Sequence, residues 1–169
     1  IRADYLPLVQ GRTHPDSAGT SVLLQSEETG DYNLSPVQSP DGRWVAFFSR
    51  RGIFSVDLFV ADARTGEVKQ RLTSPVNSPH IDAISFLYSA AAWSPDGERI
   101  AHVVFSEGDN AVRITDVESG DEVRHFKVPG AEALSTISWS PDGRRLAVSG
   151  MANGLSDLWL YDLESGESR

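Results

Sequence analysis

Short apolar runs broken by glycine turns dominate this chain. "RWVAFFS" (43–49), "RIAHVVF" (99–105) and "RLAVSG" (145–150) are dense in apolar and β-branched residues. Near-continuous runs of this kind suit strands packed on both faces of a sheet rather than half-wet surface strands. A second set follows: "DLFVAD" (57–62), "AVRITD" (111–116) and "DLWLYD" (157–162). No segment carries the 3.6-residue apolar period of an amphipathic helix, so the pattern predicts an all-β chain.

The tetrapeptide "SPDG" stands before each run of the first set, at 39–42, 94–97 and 140–143. Aligning on it without gaps brings Val45, Ile100 and Leu146 into register, then Ala46, Ala101 and Ala147, then Phe47, His102 and Val148. Downstream, Asp62, Asp116 and Asp162 coincide, as do Gly66, Gly120 and Gly166. In SPDG the proline fits position i+1 of a type I turn, the serine can bond the turn backbone, and the glycine supplies a left-handed residue. "RTGE", "ESGD" and "ESGE" repeat that logic, with Asp62, Asp116 and Asp162 placed to cap turn N–H groups.

Each unit therefore reads as strand, tight turn, strand, looser loop, strand, tight turn, strand. Four antiparallel strands sandwiched between like neighbours form a β-propeller blade. Two glycine turns per repeat exclude a helical solenoid, and strict internal repetition disfavours an immunoglobulin-type sandwich. Blades are expected at about 34–73, 88–128 and 134–169, with the last truncated. Its counterparts continue into a fourth strand, "VKQRLT" (68–73) and "VRHFKV" (123–128). Propellers need about 4–8 blades, so the ring is incomplete, and further blades from the same chain or another copy are expected to close it. Residues 1–33 fit no blade and read as a linker or the tail of an upstream domain, with "VLLQS" (22–26) as a stray strand.

"WSPDGERIAHV" (93–103) and "WSPDGRRLAVSG" (139–150), each followed by D-x-E-S-G, resemble the blades of the TolB-type propeller, a bacterial relative of WD repeats. The resemblance covers about residues 34–169. It departs in the first unit, where Gln38 replaces the tryptophan seen at Trp93 and Trp139. It implies the fold, and it implies a periplasmic or secreted location, since family members include periplasmic envelope proteins. Others are propeller domains of peptidases, and fold transfers by such resemblance better than function does.

Charge narrows the partners. With 15 Lys+Arg against 24 Asp+Glu the net charge is −9, opposite to the basic stripe of a nucleic-acid binder. No apolar run reaches the roughly 18 residues of a membrane helix, so no membrane insertion is expected. Zero cysteines exclude disulfides, thiolate metal sites and a cysteine nucleophile. The chain begins at Ile1 without a basic-then-apolar segment, as if a signal had been removed or the chain were part of something longer.

Catalytic motifs are missing. Neither G-x-S-x-G nor H-E-x-x-H occurs, and His14, His80, His102 and His125 are scattered. No catalytic residue, cofactor or metal site is expected within this chain. His102 reads as a packed histidine, and Asp41, Asp96 and Asp142 as turn residues rather than metal ligands.

The turns SPDG and T/S-G fall on one face of a propeller, so the irregular segments 49–56, 74–90, 106–110, 129–134 and 149–156 fall on the other. Binding residues concentrate on variable loops held by a rigid scaffold. Arg50, Arg51, Phe54, His80, Phe86, Tyr88, Glu107, Asp109 and Asn153 are the candidate partner-binding residues. Phe86, Leu87 and Tyr88 have an alternative role, packing beneath their own loop. The functional expectation is a non-catalytic scaffold for a protein or peptide. The alternative is an accessory, substrate-gating propeller of a multidomain peptidase.

Overall fold

The computed structural model describes residues 33–52, 55–72, 91–106 and 108–169. Among them the glycine turns and apolar runs produce three antiparallel sheets, each a meander in which every strand pairs with its sequence neighbour. The first sheet holds β1 (Asn33–Gln38), β2 (Trp44–Gly52), β3 (Ser55–Asp62) and β4 (Val68–Arg71). The second holds β5 (Ala92–Trp93), β6 (Arg99–Ser106), β7 (Asp109–Asp116) and β8 (Glu122–Phe126). The third holds β9 (Ala133–Trp139), β10 (Arg145–Ala152) and β11 (Leu155–Asp162). The all-β, partial-propeller architecture read from the repeat is present.

In the third sheet a bridge between Tyr161 and Ser168 stands beside β11, and Leu160 and Arg169 exchange backbone hydrogen bonds of 2.8 and 3.2 Å.

Side-chain alternation explains why both faces of these strands are apolar. In β6, Ala101 and Val103 join Val112 and Ile114 of β7 against Leu146, Val148 and Tyr161 of the third sheet. Ile100, one residue out of phase, packs with Ala46, Phe48, Leu58 and Val60 of the first sheet. Successive sheets are thus bolted together by opposite faces of the same strands.

The segments read as irregular loops at 49–56, 106–110 and 149–156 are strand almost throughout. β2 runs to Gly52 with β3 resuming at Ser55, and β6 runs to Ser106 with β7 resuming at Asp109. In the third sheet Ala152 pairs with Leu155, leaving only Asn153-Gly154 as the turn, with φ of 52° and 77°. Two consecutive left-handed residues make the tight hairpin whose twist matches its strands, for which Asn-Gly is the favoured pair. The residue types that looked like loop composition are strand ends, and the Asn-Gly signal was in the sequence to be read.

One glycine is required by packing. A Cβ on Gly150 would stand 2.2 Å from the Ala133 carbonyl oxygen. It lies where the β9–β10 register shifts between Ser149 and Gly150, a β-bulge that lets two backbones approach.

Candidate functional site

The two ends of the blades differ in chemistry. At one end each SPDG turn closes on itself. The serine hydroxyl donates to the aspartate Oδ1 at 2.6, 2.5 and 2.6 Å in Ser39–Asp41, Ser94–Asp96 and Ser140–Asp142. That same oxygen accepts the backbone N–H of Arg43, Glu98 and Arg144, each at 3.0 Å. The serine oxygen in turn accepts the backbone N–H of Trp44, Arg99 and Arg145 at 2.9 Å. Gly42, Gly97 and Gly143 each donate to the serine carbonyl at 2.9 Å, closing the turn.

The carboxylates are consumed by these bonds. Hydrogen bonding from Ser39, then from the Arg43 backbone and side chain, holds Asp41 down at about 2. Asp96 and Asp142 are lowered first by Ser94 and Ser140, then by the following backbone N–H. Asp62, Asp116 and Asp162 cap the second turns, each accepting two backbone N–H groups at 2.8–3.0 Å. Ala63, Val117 and Leu163 donate to the carbonyls of Arg43, Glu98 and Arg144, so the two turns of each blade are tied side by side. Pro40 lies 3.8 Å from a Cβ placed on Gly97, and Pro95 lies 4.0 Å from one on Gly143, so successive turns lie side by side. This end is uniform and internally satisfied.

The opposite end carries varied side chains. Lys127 bonds Asp109 at 2.8 Å, and Asp109 also accepts the Asn110 N–H. The bonds to Lys127 and to the Asn110 backbone lower the pKa of Asp109. Glu132 accepts the Asn153 N–H at 3.1 Å, and its own N–H bonds the Met151 carbonyl at 2.8 Å. Around this hairpin Met151 is 48% and Leu155 66% exposed.

Of the candidate binding residues, Asp109 and Asn153 are placed at this end, Asp109 in an ion pair and Asn153 at the hairpin tip. Arg50 and Arg51 lie at the end of β2, which also points this way. Phe54, His80, Phe86, Tyr88 and Glu107 lie outside the described residues. Glu132, Met151 and Leu155 lie within the segments 129–134 and 149–156 without being singled out there, and Lys127 lies outside every named segment. Met151 and Leu155 flank the Asn-Gly turn, and recognising that turn would have marked them as exposed hairpin positions. Among the described residues no group of His, Asp or Glu is placed to hold a metal ion.

No family model matches the chain, and no curated protein does. Solved structures do. TolB from Acinetobacter baumannii superposes with a TM-score of 0.69 at 19% identity, over 92% of this chain and 35% of that one. A protein described as a TolB from Agrobacterium tumefaciens gives 0.63 at 18%, over 80% of this chain and 44% of its own. The β-propeller domain of the Trilobed protease from Pyrococcus furiosus gives 0.51 at 18%, over 82% and 41%. The chain thus spans between about a third and a half of these proteins. Three meander sheets stacked face to face, closed at one end by the repeated Ser–Asp turn, have the TolB-like β-propeller fold.

Proposed function

We propose that this chain is a non-catalytic propeller scaffold in the bacterial cell envelope, periplasmic or secreted, that binds a protein or peptide through the hairpin end of its blades. The observation that carries this reading is the asymmetry of the two ends. One is made of identical turns whose polar groups satisfy each other, leaving little to offer a partner. The other sets exposed Leu155 beside the Asn153 turn and Glu132, on strands fixed by their sheet, while Met151 shares the outer face of Leu158. Apolar side chains ringed by polar groups on a rigid support are what a protein interface uses. Further blades, from the same chain or another copy, complete the ring beside the third sheet, where Leu158 stands 78% exposed. A photo-crosslinker placed at Leu155 should capture the partner from the native envelope, and one at Asp142 should not. Equal capture from both positions, or capture from Asp142 alone, would overturn the assignment of ends.

A second reading has its own support. The Pyrococcus furiosus neighbour is the propeller domain of a protease, and the sequence before Asn33 does not align with the repeat. An accessory, substrate-gating role in a peptidase requires H-E-x-x-H before, or G-x-S-x-G after, this segment in the full reading frame. A frame with neither motif removes that reading.

A further inference from the structure

The second sheet departs from its neighbours at three matched positions. Phe47, Phe59 and Ala61 in the first unit, and Val148, Trp159 and Tyr161 in the third, are apolar or aromatic. Their counterparts in the second are His102, Arg113 and Thr115. His102 pairs with Arg113 across β6 and β7, and Thr115 pairs with Ile100 two residues away, so the three side chains share one face. Ile100 on that face packs against the first sheet, so the triad is aimed into the interface between the first and second sheets.

From there the row continues outward. His125 and Glu122 of β8 lie opposite Arg113 and Thr115. The Arg113 Nε is 2.9 Å from Glu122 Oε2, and His125 Nδ1 is 3.9 Å from Glu122 Oε1. The inner members have no such partner. His102 is 1% and Thr115 0% exposed, and among the described residues both imidazole nitrogens, the threonine hydroxyl and, despite its ion pair, the Arg113 Nε are buried without a hydrogen bond. Across the interface Ala46, Phe48, Leu58, Val60 and Leu72 offer no polar atom from their side chains. Buried polar groups in native proteins are almost always paired, with protein or with ordered water.

We infer that the interface between the first and second sheets binds a water molecule, held by His102 and Thr115 beside Arg113. The chemistry of the triad selects a neutral ligand. Burial, then the Arg113 charge, keeps His102 unprotonated, so an anion would meet a single positive group already facing Glu122. A cation would meet Arg113. A neutral imidazole supplies one donor and one acceptor, and a hydroxyl can act as either. One water with about three hydrogen bonds therefore satisfies both side chains.

Water contacts at His102 can be read directly by nuclear Overhauser spectroscopy on the full chain. A cross-peak between long-lived water and the His102 ring protons, with a companion at the Thr115 methyl, is expected. Their absence overturns the inference, as does a high-resolution crystal structure in which His102 bonds Thr115 with nothing between them. In a Thr115→Val chain the His102 peak should weaken several-fold. An unchanged peak there would remove Thr115 from the site.

Discussion

The Trp93 indole N–H donates to the Val37 carbonyl at 2.9 Å, joining the second sheet to the first. The equivalent residues do something else. Trp139 and Gln38 each donate at 3.1 Å to the glycine carbonyl of their own turn, Gly143 and Gly42. The same repeat position is therefore an inter-sheet tie in one blade and a local turn brace in the others. Trp93 is also buried among the side chains between the sheets, whereas Trp139 is only partly buried. Trp93→Phe should cost ~1–1.5 kcal/mol by removing the bond while keeping most of the packing. Trp139→Phe should cost less, because its partner lies within its own turn. Urea denaturation of both variants checks the order, and equal losses would mean the cross-sheet bond adds nothing.

Acid should loosen this interface before it reaches the turns. Burial, with Arg113 as the lesser cause, pushes the His102 pKa down to about 3. A histidine in the unfolded chain titrates near 6.5, so the unfolded state takes up its proton first. Stability should fall as pH drops from about 6.5 to about 3, by roughly 4 kcal/mol in total. The lowered turn carboxylates, with Asp41 at about 2, add their loss only below about pH 4. His102→Val, the residue of the third unit, should flatten the upper part of the profile. A variant that keeps the full slope between about pH 6.5 and 4 would assign it to another group.

Ser94 holds its turn through one hydroxyl. That oxygen donates to Asp96 and accepts the Arg99 N–H, and Ser94 is buried. Ser94→Ala should cost ~1–2 kcal/mol, since it breaks both bonds in a buried turn. It should also raise the Asp96 pKa toward the ordinary carboxylate range, because the Ser94 bond is the largest cause of its depression. Carboxyl titration by NMR reads this separately from stability. An unmoved Asp96 would show that backbone N–H groups alone set its charge.

Much of this architecture was legible because turns carry local chemistry. Ser39-Pro40-Asp41-Gly42 and its copies specify their hydrogen bonds within a few residues, so sequence pattern sufficed. The hairpins at the other end were misread because Ser, Arg and Gly near residues 49–56 and 149–156 resemble loop composition. Their strand state is fixed by pairing across the sheet, as between Ser149 and Leu158 or Met151 and Ser156. That information is non-local. The polar triad was half visible: His102 stood out in the aligned repeat, while its pairing with Arg113 needed the register. Whether Asp109 faces a partner depends on Lys127, a residue that no motif marks.

Gly150 and Gly154 should respond to alanine for different reasons. A Cβ at Gly150 would meet the Ala133 oxygen at 2.2 Å and the Trp159 ring at 3.3 Å, both fixed by the sheet. Gly150→Ala should cost about 3 kcal/mol or more, in the range of severe overpacking. At Gly154 there is open space but φ is +77°, so Gly154→Ala pays only backbone strain, about 1 kcal/mol. Thermal melts of the two variants should differ clearly. Similar shifts would mean the bulge relaxes enough to admit a methyl group.

Leu58, Val112 and Leu158 are one position in three blades. Leu58 and Val112 are fully buried, each beneath the following sheet, whereas Leu158 is 78% exposed. Leu160, matched to the buried Val60 and Ile114, is only partly covered. The third sheet thus carries the apolar face of a blade that another blade would cover. For this chain alone, Leu158→Lys should leave stability within about 0.5 kcal/mol, because little packing is lost. Leu58→Ala should cost about 2–5 kcal/mol, because it opens a cavity between two sheets. Sedimentation should separate solvation from assembly, with the wild-type chain self-associating through this face and the lysine variant remaining monomeric. When the next blade is supplied, the ranking should reverse in kind: Leu158→Lys then buries an unpaired charge in an interface and should block assembly. Normal assembly of the lysine variant would place the following blade somewhere other than on the outer face of the third sheet.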